Sequence, residues 1–288
     1  MKRRVLLLGA EGMLAHDILQ VFSEKWEVIP RSRREVDVTM ETDVQRAVSS
    51  LKPHVVINAS GYTKVDAAET ERDLALLVNG EAPGTLARIC RDMGILLVHY
   101  STDYVFDGKK SSPYREEDPT NPINYYGETK LAGEERIRES GCEHIIIRTQ
   151  WLFGPRGRNF VFAIVDRLRR EGSARVVDDQ VGCPTYTLDL ARATEKLIDS
   201  GGRGTFHFSG EGEATWFDFA RRIAEKSIPD EVTIEPIKSR ELNLPAERPS
   251  YSVLSKEKFT SRTGESPRHW EEMLSDFLKR VFEGGVAW

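Results

Sequence analysis

Short, mostly apolar runs recur through the first half of the chain: Val5–Leu8, Val28–Ile29, His54–Ile57, Ile95–His99 and Ile145–Ile147. A strand with one wet face alternates apolar and polar residues, so unbroken runs imply strands covered on both faces, as in a parallel sheet. The segments between them read as helices. In Ala82–Met93, for example, Leu86, Ile89, Cys90 and Met93 share one face and Gly94 follows as a stop. Repeated strand and helix units require right-handed crossovers and predict an α/β fold with a doubly wound sheet.

The rhythm changes after about residue 150, where Gly, Pro and charge increase and irregular stretches occur at Gly154–Asn159 and Pro236–Ser252. The chain therefore divides into 1–150, mainly dinucleotide-binding, and 151–288, a smaller α/β region mainly for substrate, with segments interleaved into the sheet. At 288 residues it is long enough for both. Thr215 and Asp218 have the spacing of a helix N-cap, with Trp216 expected as a core anchor. A final helix is expected with Ser266 as cap, Pro267 in the first turn and Trp270, Leu274, Phe277, Leu278 and Val281 on its buried face.

With 41 basic against 46 acidic residues, spread evenly, the net charge of −5 argues against a nucleic-acid partner. The apolar run at Val5–Ala10 is too short for a signal peptide and meets Glu11 without a cleavage pattern; no run suggests a membrane span. Cys90, Cys142 and Cys183 are odd in number and lack a C-x-x-C pair, which fits a reducing cytoplasm. His16, His54, His99, His144, His207 and His269 are scattered, so no metal site is predicted and each reads as structural or exposed.

Gly9 and Gly12 directly follow the first apolar run, with Ala15 as a third small residue. Glycines there permit a tight turn, and the N–H groups opening the next helix can receive a pyrophosphate. The G-x-x-G-x-x-A spacing departs from G-x-G-x-x-G, and an ordinary strand-to-helix turn would read the same way. After Ile29 comes Pro30-Arg31-Ser32-Arg33-Arg34, where an NAD-binding chain often has an acidic residue. Arginine forks there favour a 2′-phosphate and so NADP(H) over NAD(H), the alternative being a solvated basic turn. Asp37 and Val38 fall at an expected strand end, and Asn58-Ala59-Ser60-Gly61 ends the following one.

Ser101, Thr102 and Asp103 close the strand at Ile95–His99 and beyond, while Tyr126 and Lys130 are four residues apart in NYYGETK, on one helical face. A phenol exchanges protons with a carbonyl more readily when an ammonium stabilises its phenolate, and a strand-end Thr can hold the reacting oxygen. Tyr125 lacks the lysine four residues on. Thr102, Tyr126 and Lys130 are the expected catalytic group.

The segments GAEGMLA, VVINASGYTKVDAAE, HYSTDYVFDG, NPINYYGETKLAGE, IIIRTQWLFG, DDQVGCPT, ATWFDFA and RPSYSVLSKEKF resemble, over nearly the whole chain, the dTDP-4-dehydrorhamnose reductase family of the extended short-chain dehydrogenase/reductase superfamily. The resemblance implies a Rossmann-type sheet and reduction of a 4-keto dTDP-sugar. It implies cofactor contacts from Gly12, Met13, Leu14, Arg31, Asp37 and Val38, joining Gly9, and from Gly61, Tyr62, Thr63, Tyr100, Tyr126 and Lys130. Substrate contacts would come from Thr102, Asp103, Trp151 and Arg248, the last as a diphosphate clamp, with Asn159 and Gln180 at further recurrent positions. Tyr104 after Asp103 departs from the Asp-Glu pair of related dehydratases. Some relatives use Mg²⁺ in assembly, but no ligand motif for it is present; a homodimer is compatible with the resemblance. A reductase or epimerase of another nucleotide sugar, or a non-enzymatic NADP-binding subunit like that of methionine adenosyltransferase, would share most of these features.

Overall fold

The computed structural model describes residues 2–228 and 231–283. Its centre is a six-stranded parallel sheet. In chain order the first five strands are β1 (Arg4–Leu8), β2 (Glu27–Arg31), β3 (Val55–Asn58), β4 (Leu96–Thr102) and β5 (His144–Thr149). They stand in the order β5-β4-β3-β1-β2, and the strand Gly204–His207 extends the sheet beyond β5. The sheet is thus completed by a segment from the C-terminal half.

The apolar runs are divided between two faces, as a pleat requires. Val5, Leu7, Val55, Ile57, Val98, Ile145 and Ile147 pack with Leu14, Ile18, Leu190 and Leu197 on one side. Leu6, Leu8, Val56, Leu97 and Ile146 pack with Val44, Val48, Leu86 and Ile89 on the other. Helices α1 (Met13–Phe22) and α2 (Glu41–Leu51) cover opposite faces. Within the first layer, the buried Asp17 of α1 accepts a hydrogen bond from Thr187, fixing the helix Thr187–Asp199 against it. Burial raises the Asp17 carboxyl above its ordinary range.

A third core gathers Phe153, Val161, Ile164, Tyr186, Phe219, Trp270 and Phe277 from the C-terminal half. Here Thr215 and Asp218 form the expected capping box of the helix Trp216–Ser227. The last helix, Trp270–Leu278, starts later than Ser266 and Pro267 suggest. Its cap is His269, whose ring accepts from Glu271 N, while Trp270, Leu274, Phe277, Leu278 and Val281 are buried as expected. Met93, counted on a buried face, ends its helix more than a third exposed, at 37%.

The strand expected to end at Asp37 does not form. Residues 32–40 are turns, since Glu35 accepts from Ser32 N at 2.8 Å and Asp37 accepts from Thr39 N at 3.0 Å. With these amides satisfied locally, nothing draws the segment into a ladder beyond β2, although Val36 and Val38 remain buried.

Candidate active site

Parallel strands finish on one edge of a sheet, and its register brings their ends together: Leu8 lies opposite Asn58, Asn58 opposite His99, and Thr102 opposite Thr149. The order reverses between β1 and β3, which opens a crevice at the strands' carboxyl ends. Gly9 turns out of β1 with φ +77°, and a Cβ there would sit 2.7 Å from Ser60 N. Only glycine lets these two loops approach so closely. Gly12 is the N-cap of α1, and its lack of a side-chain cap leaves the opening turn available to an anion.

Gly9, Gly12, Asp37, Val38 and Gly61 line a cavity of about 230 Å³ at this crevice. Its basic lining residue is Arg33, not Arg31. The Arg31 guanidinium turns back to Pro30 O at 2.8 Å and lies 3.8 Å from Glu35. Arg33 pairs with Asp37 at 3.3 Å and is 70% exposed at its side chain. A glycine cradle, a helix N-terminus and an exposed arginine fork together fit a dinucleotide.

Met13 and Leu14 open α1, Leu14 with its side chain in the core. Tyr62 and Thr63 follow Gly61 on the rim. Sequence reading missed Asn79, which lies in a π-helical turn, Leu77–Glu81. Fully buried, it accepts from Tyr62 N at 2.8 Å and donates to Tyr62 O at 2.9 Å and Thr129 Oγ1 at 3.2 Å, tying the Gly61 loop to the helix that carries Tyr126. Tyr100 does not present its ring to the crevice: its hydroxyl meets Thr194 at 2.9 Å within the core, and its carbonyl faces the site.

Tyr126 and Lys130 lie one turn apart on the helix Tyr125–Glu139, capped by Asn124, which accepts from Gly127 N at 2.8 Å. Gly127 is required by proximity, because a Cβ would strike Tyr104 O. Lys130, 5% exposed, donates to Tyr100 O at 2.6 Å and meets His99 Nε2 at 3.3 Å. Burial pulls its ammonium down to about 8, against the attraction of Glu134. Burial and the nearby Asp103 carboxylate push the Tyr126 phenol up to about 12, while a hydrogen bond with Thr102 opposes them. Tyr125 instead carries Arg72 over its ring at 4.0 Å.

Beside Tyr126, Thr102 donates to Asp103 Oδ1 at 2.9 Å and accepts from Tyr104 N at 3.2 Å. Burial raises Asp103 to about 7. At the end of β5, Thr149 Oγ1 and Gln150 Nε2 are buried and have no hydrogen-bond partner within the described residues. Trp151 holds the left-handed conformation, φ +47°, and stacks on Trp216. Trp216 is half-buried, packing as expected against the C-terminal core through Phe160 and Phe219 as well as against Trp151. Gln180 accepts from Trp216 Nε1 at 3.2 Å and steadies the pair. Asn159 caps the helix Phe160–Glu171.

Arg248, 14% exposed at its side chain, forks onto Asp66 at 2.6 and 2.7 Å. Its charge already has a carboxylate partner, and Nη1 also donates to Ala246 O. Among the described residues no group of three or more His, Cys, Asp or Glu could hold a metal ion.

The family model for the RmlD substrate binding domain matches residues 3–282. The chain belongs to this family. A dTDP-4-dehydrorhamnose reductase of Burkholderia thailandensis is 37% identical over 283 residues, covering 93% of this chain and 95% of the relative. A dTDP-4-keto-6-deoxy-D-glucose reductase of Streptomyces niveus is 38% identical, covering 96% of each. A crystal structure of the dTDP-4-dehydrorhamnose reductase of Bacillus anthracis in complex with NADP superposes with a TM-score of 0.95 at 35% identity, over 98% of this chain and 100% of that one. The family's fold, with its Rossmann-type sheet, therefore extends across both halves.

Proposed function

We propose that the chain is an NADP(H)-dependent oxidoreductase that reduces the C4 ketone of dTDP-4-dehydro-6-deoxy-L-mannose to dTDP-L-rhamnose. What supports this reading is that Thr102 and Tyr126, with Lys130 hydrogen-bonded to Tyr100 O, gather at the same edge of the sheet as the glycine turn after β1. The names of the Burkholderia and Bacillus relatives supply the substrate, and the NADP complex of the latter supports the cofactor. NADP(H) is favoured over NAD(H) because the cavity carries Arg33.

Gly9, Gly12, Met13, Leu14, Val38 and Gly61 would hold the cofactor, with Arg33 on its 2′-phosphate. When bound, the nicotinamide supplies the hydride. Thr102 turns its hydroxyl from Asp103 to the ketone oxygen and polarises it, and Tyr126 gives that oxygen its proton. Lys130 holds the ribose and lowers the phenol when charged. The open face of Trp151 covers the sugar, and Arg248 takes the diphosphate. Residues 1–150 mainly serve the cofactor and 151–288 the sugar nucleotide. Three buried free cysteines suit a cytoplasmic enzyme.

Tyr126→Phe should lower turnover by about 10²–10⁴-fold while NADPH still binds; undiminished turnover would overturn the reading. The Streptomyces niveus relative gives a second reading, another dTDP-4-keto-6-deoxysugar as substrate. Product analysis over a panel of such ketones separates the two.

A further inference from the structure

Behind Lys130 lies a buried chain of side chains whose proton positions are fixed by their partners. Asn58 Oδ1 accepts from Ser60 N at 3.1 Å. A backbone N–H can only donate, so the amide orientation is set and Asn58 Nδ2 faces His99 Nδ1 at 3.2 Å. That amide nitrogen also only donates, which makes His99 Nδ1 the acceptor and puts the proton of the neutral ring on Nε2. Burial, followed by the repulsion of Lys130, holds His99 well below its ordinary range, so the ring is neutral.

His99 Nε2 in turn lies 3.3 Å from Lys130 Nζ. An ammonium there would oppose one donor with another. An amine accepts the Nε2–H with its lone pair and still donates to Tyr100 O at 2.6 Å. We infer that burial and the Asn58–His99 pair together favour the neutral amine of Lys130 before cofactor binds, so that binding in mildly alkaline solution adds a solvent proton to Nζ.

The other charged or titratable groups around Lys130 permit this state. On its own helix, Tyr126 lies one turn before it and Glu134 one turn after it. Glu134, the residue that would favour an ammonium, gives both oxygens to Arg148 of β5, at 2.9 and 2.7 Å. From the end of β4, Asp103 is held up to about 7. On the reading that the crevice holds a nicotinamide dinucleotide, ribose hydroxyls would add acceptors for an ammonium to the one that Tyr100 O already provides. Lys130 then exchanges the His99 hydrogen bond for contacts that only its charged form can make. No bond order or oxidation state changes: one N–H bond forms and one solvent proton is consumed. His99 is a positioning residue in this scheme.

The test is calorimetric titration of NADPH into the Tyr126→Phe protein at about pH 9, in buffers of different ionisation enthalpy; the Phe removes the phenol's own proton from the count. Uptake should approach about one proton per NADPH at that pH. Adding His99→Gln, which keeps an N–H near the Nε2 position, should preserve most of the uptake, and His99→Leu, which leaves Nζ buried but removes that donor, should lower it. A second readout needs no change at His99: the NADPH Kd should rise as pH passes about 8, approaching tenfold per unit. NADPH binding with no buffer dependence and a flat Kd would overturn this inference alone, as would unchanged uptake in His99→Leu. Failure to bind either NADPH or NADH would overturn the reductase reading and this inference with it.

Discussion

Trp151 and Trp216 stack with ring centroids 3.6 Å apart and planes 12° from parallel. One face of Trp151 is therefore covered, and its left-handed backbone is held by that stack and by the close approach of Gly182. An aromatic pair adds about 0.5–1.5 kcal/mol beyond its buried area. Trp216→Ala should raise KM for the sugar nucleotide between about twofold and tenfold with little change in NADPH affinity. Steady-state kinetics with each substrate varied in turn will measure the split, and a purely NADPH-side defect would contradict it.

Asp103 gives a pH-dependent signature. Its folded-state value is raised to about 7 from an ordinary 3.8, chiefly by burial. The folded chain therefore holds this proton between those values when the unfolded chain has lost it, and the group costs stability as pH rises through the window. Asp103→Asn should gain stability relative to the parent between about pH 4 and pH 7, by an amount on the order of a few kcal/mol. Urea unfolding of both proteins across this range will show whether the difference grows with pH.

A mutant cycle separates two readings of Arg248. If it only ties the 246–252 loop to Asp66, then Arg248→Ala and Asp66→Ala should weaken dTDP-sugar binding equally, and the double variant no further. As a diphosphate clamp, Arg248→Ala should cost more than Asp66→Ala by roughly 1.5–3 kcal/mol, the scale of a hydrogen bond to a charged group. Calorimetric binding of dTDP and of thymidine will identify which.

The Glu134–Arg148 pair supports the helix of Tyr126 from beneath, with side chains 0% and 3% exposed. Burial raises the Glu134 carboxyl, but Arg148 and its other partners more than offset this and leave it below its ordinary range. Its stabilisation is therefore present above the unfolded-state value and lost as pH falls through the folded one. Glu134→Gln should destabilise the fold by about 3–5 kcal/mol at neutral pH by stranding the arginine, with the deficit shrinking in acid. Chemical denaturation at several pH values tests both parts.

Much of this was legible in the sequence because it rests on local rules. Unbroken apolar runs required a sheet covered on both sides, and a tyrosine and lysine four residues apart had to share a helical face. Other features depend on contacts that spacing does not encode. The turn at Ser32–Glu35 decides that Arg33 rather than Arg31 faces the cavity. His99 sits inside an apolar run and looked structural until the pleat put its ring beside Lys130. Asn79 faces the catalytic helix because of a π-helical turn, which has no hydrophobic period to reveal it. Trp216 lies 65 positions from its partner Trp151, and only the tertiary fold brings them together.

The strand Gly204–His207, laid beside β5, has a consequence for biosynthesis. Until the ribosome has released that strand, β5 is an open parallel edge with unpaired amides and carbonyls, although the cofactor cradle and the Tyr126 helix have already emerged. A nascent chain ending near residue 150 would thus carry Tyr126 and Lys130 on an incomplete sheet, prone to pairing with a neighbouring chain. Interleaving the two halves delays completion of the sheet until part of the C-terminal half has been made, while Trp216 and Arg248 follow later still.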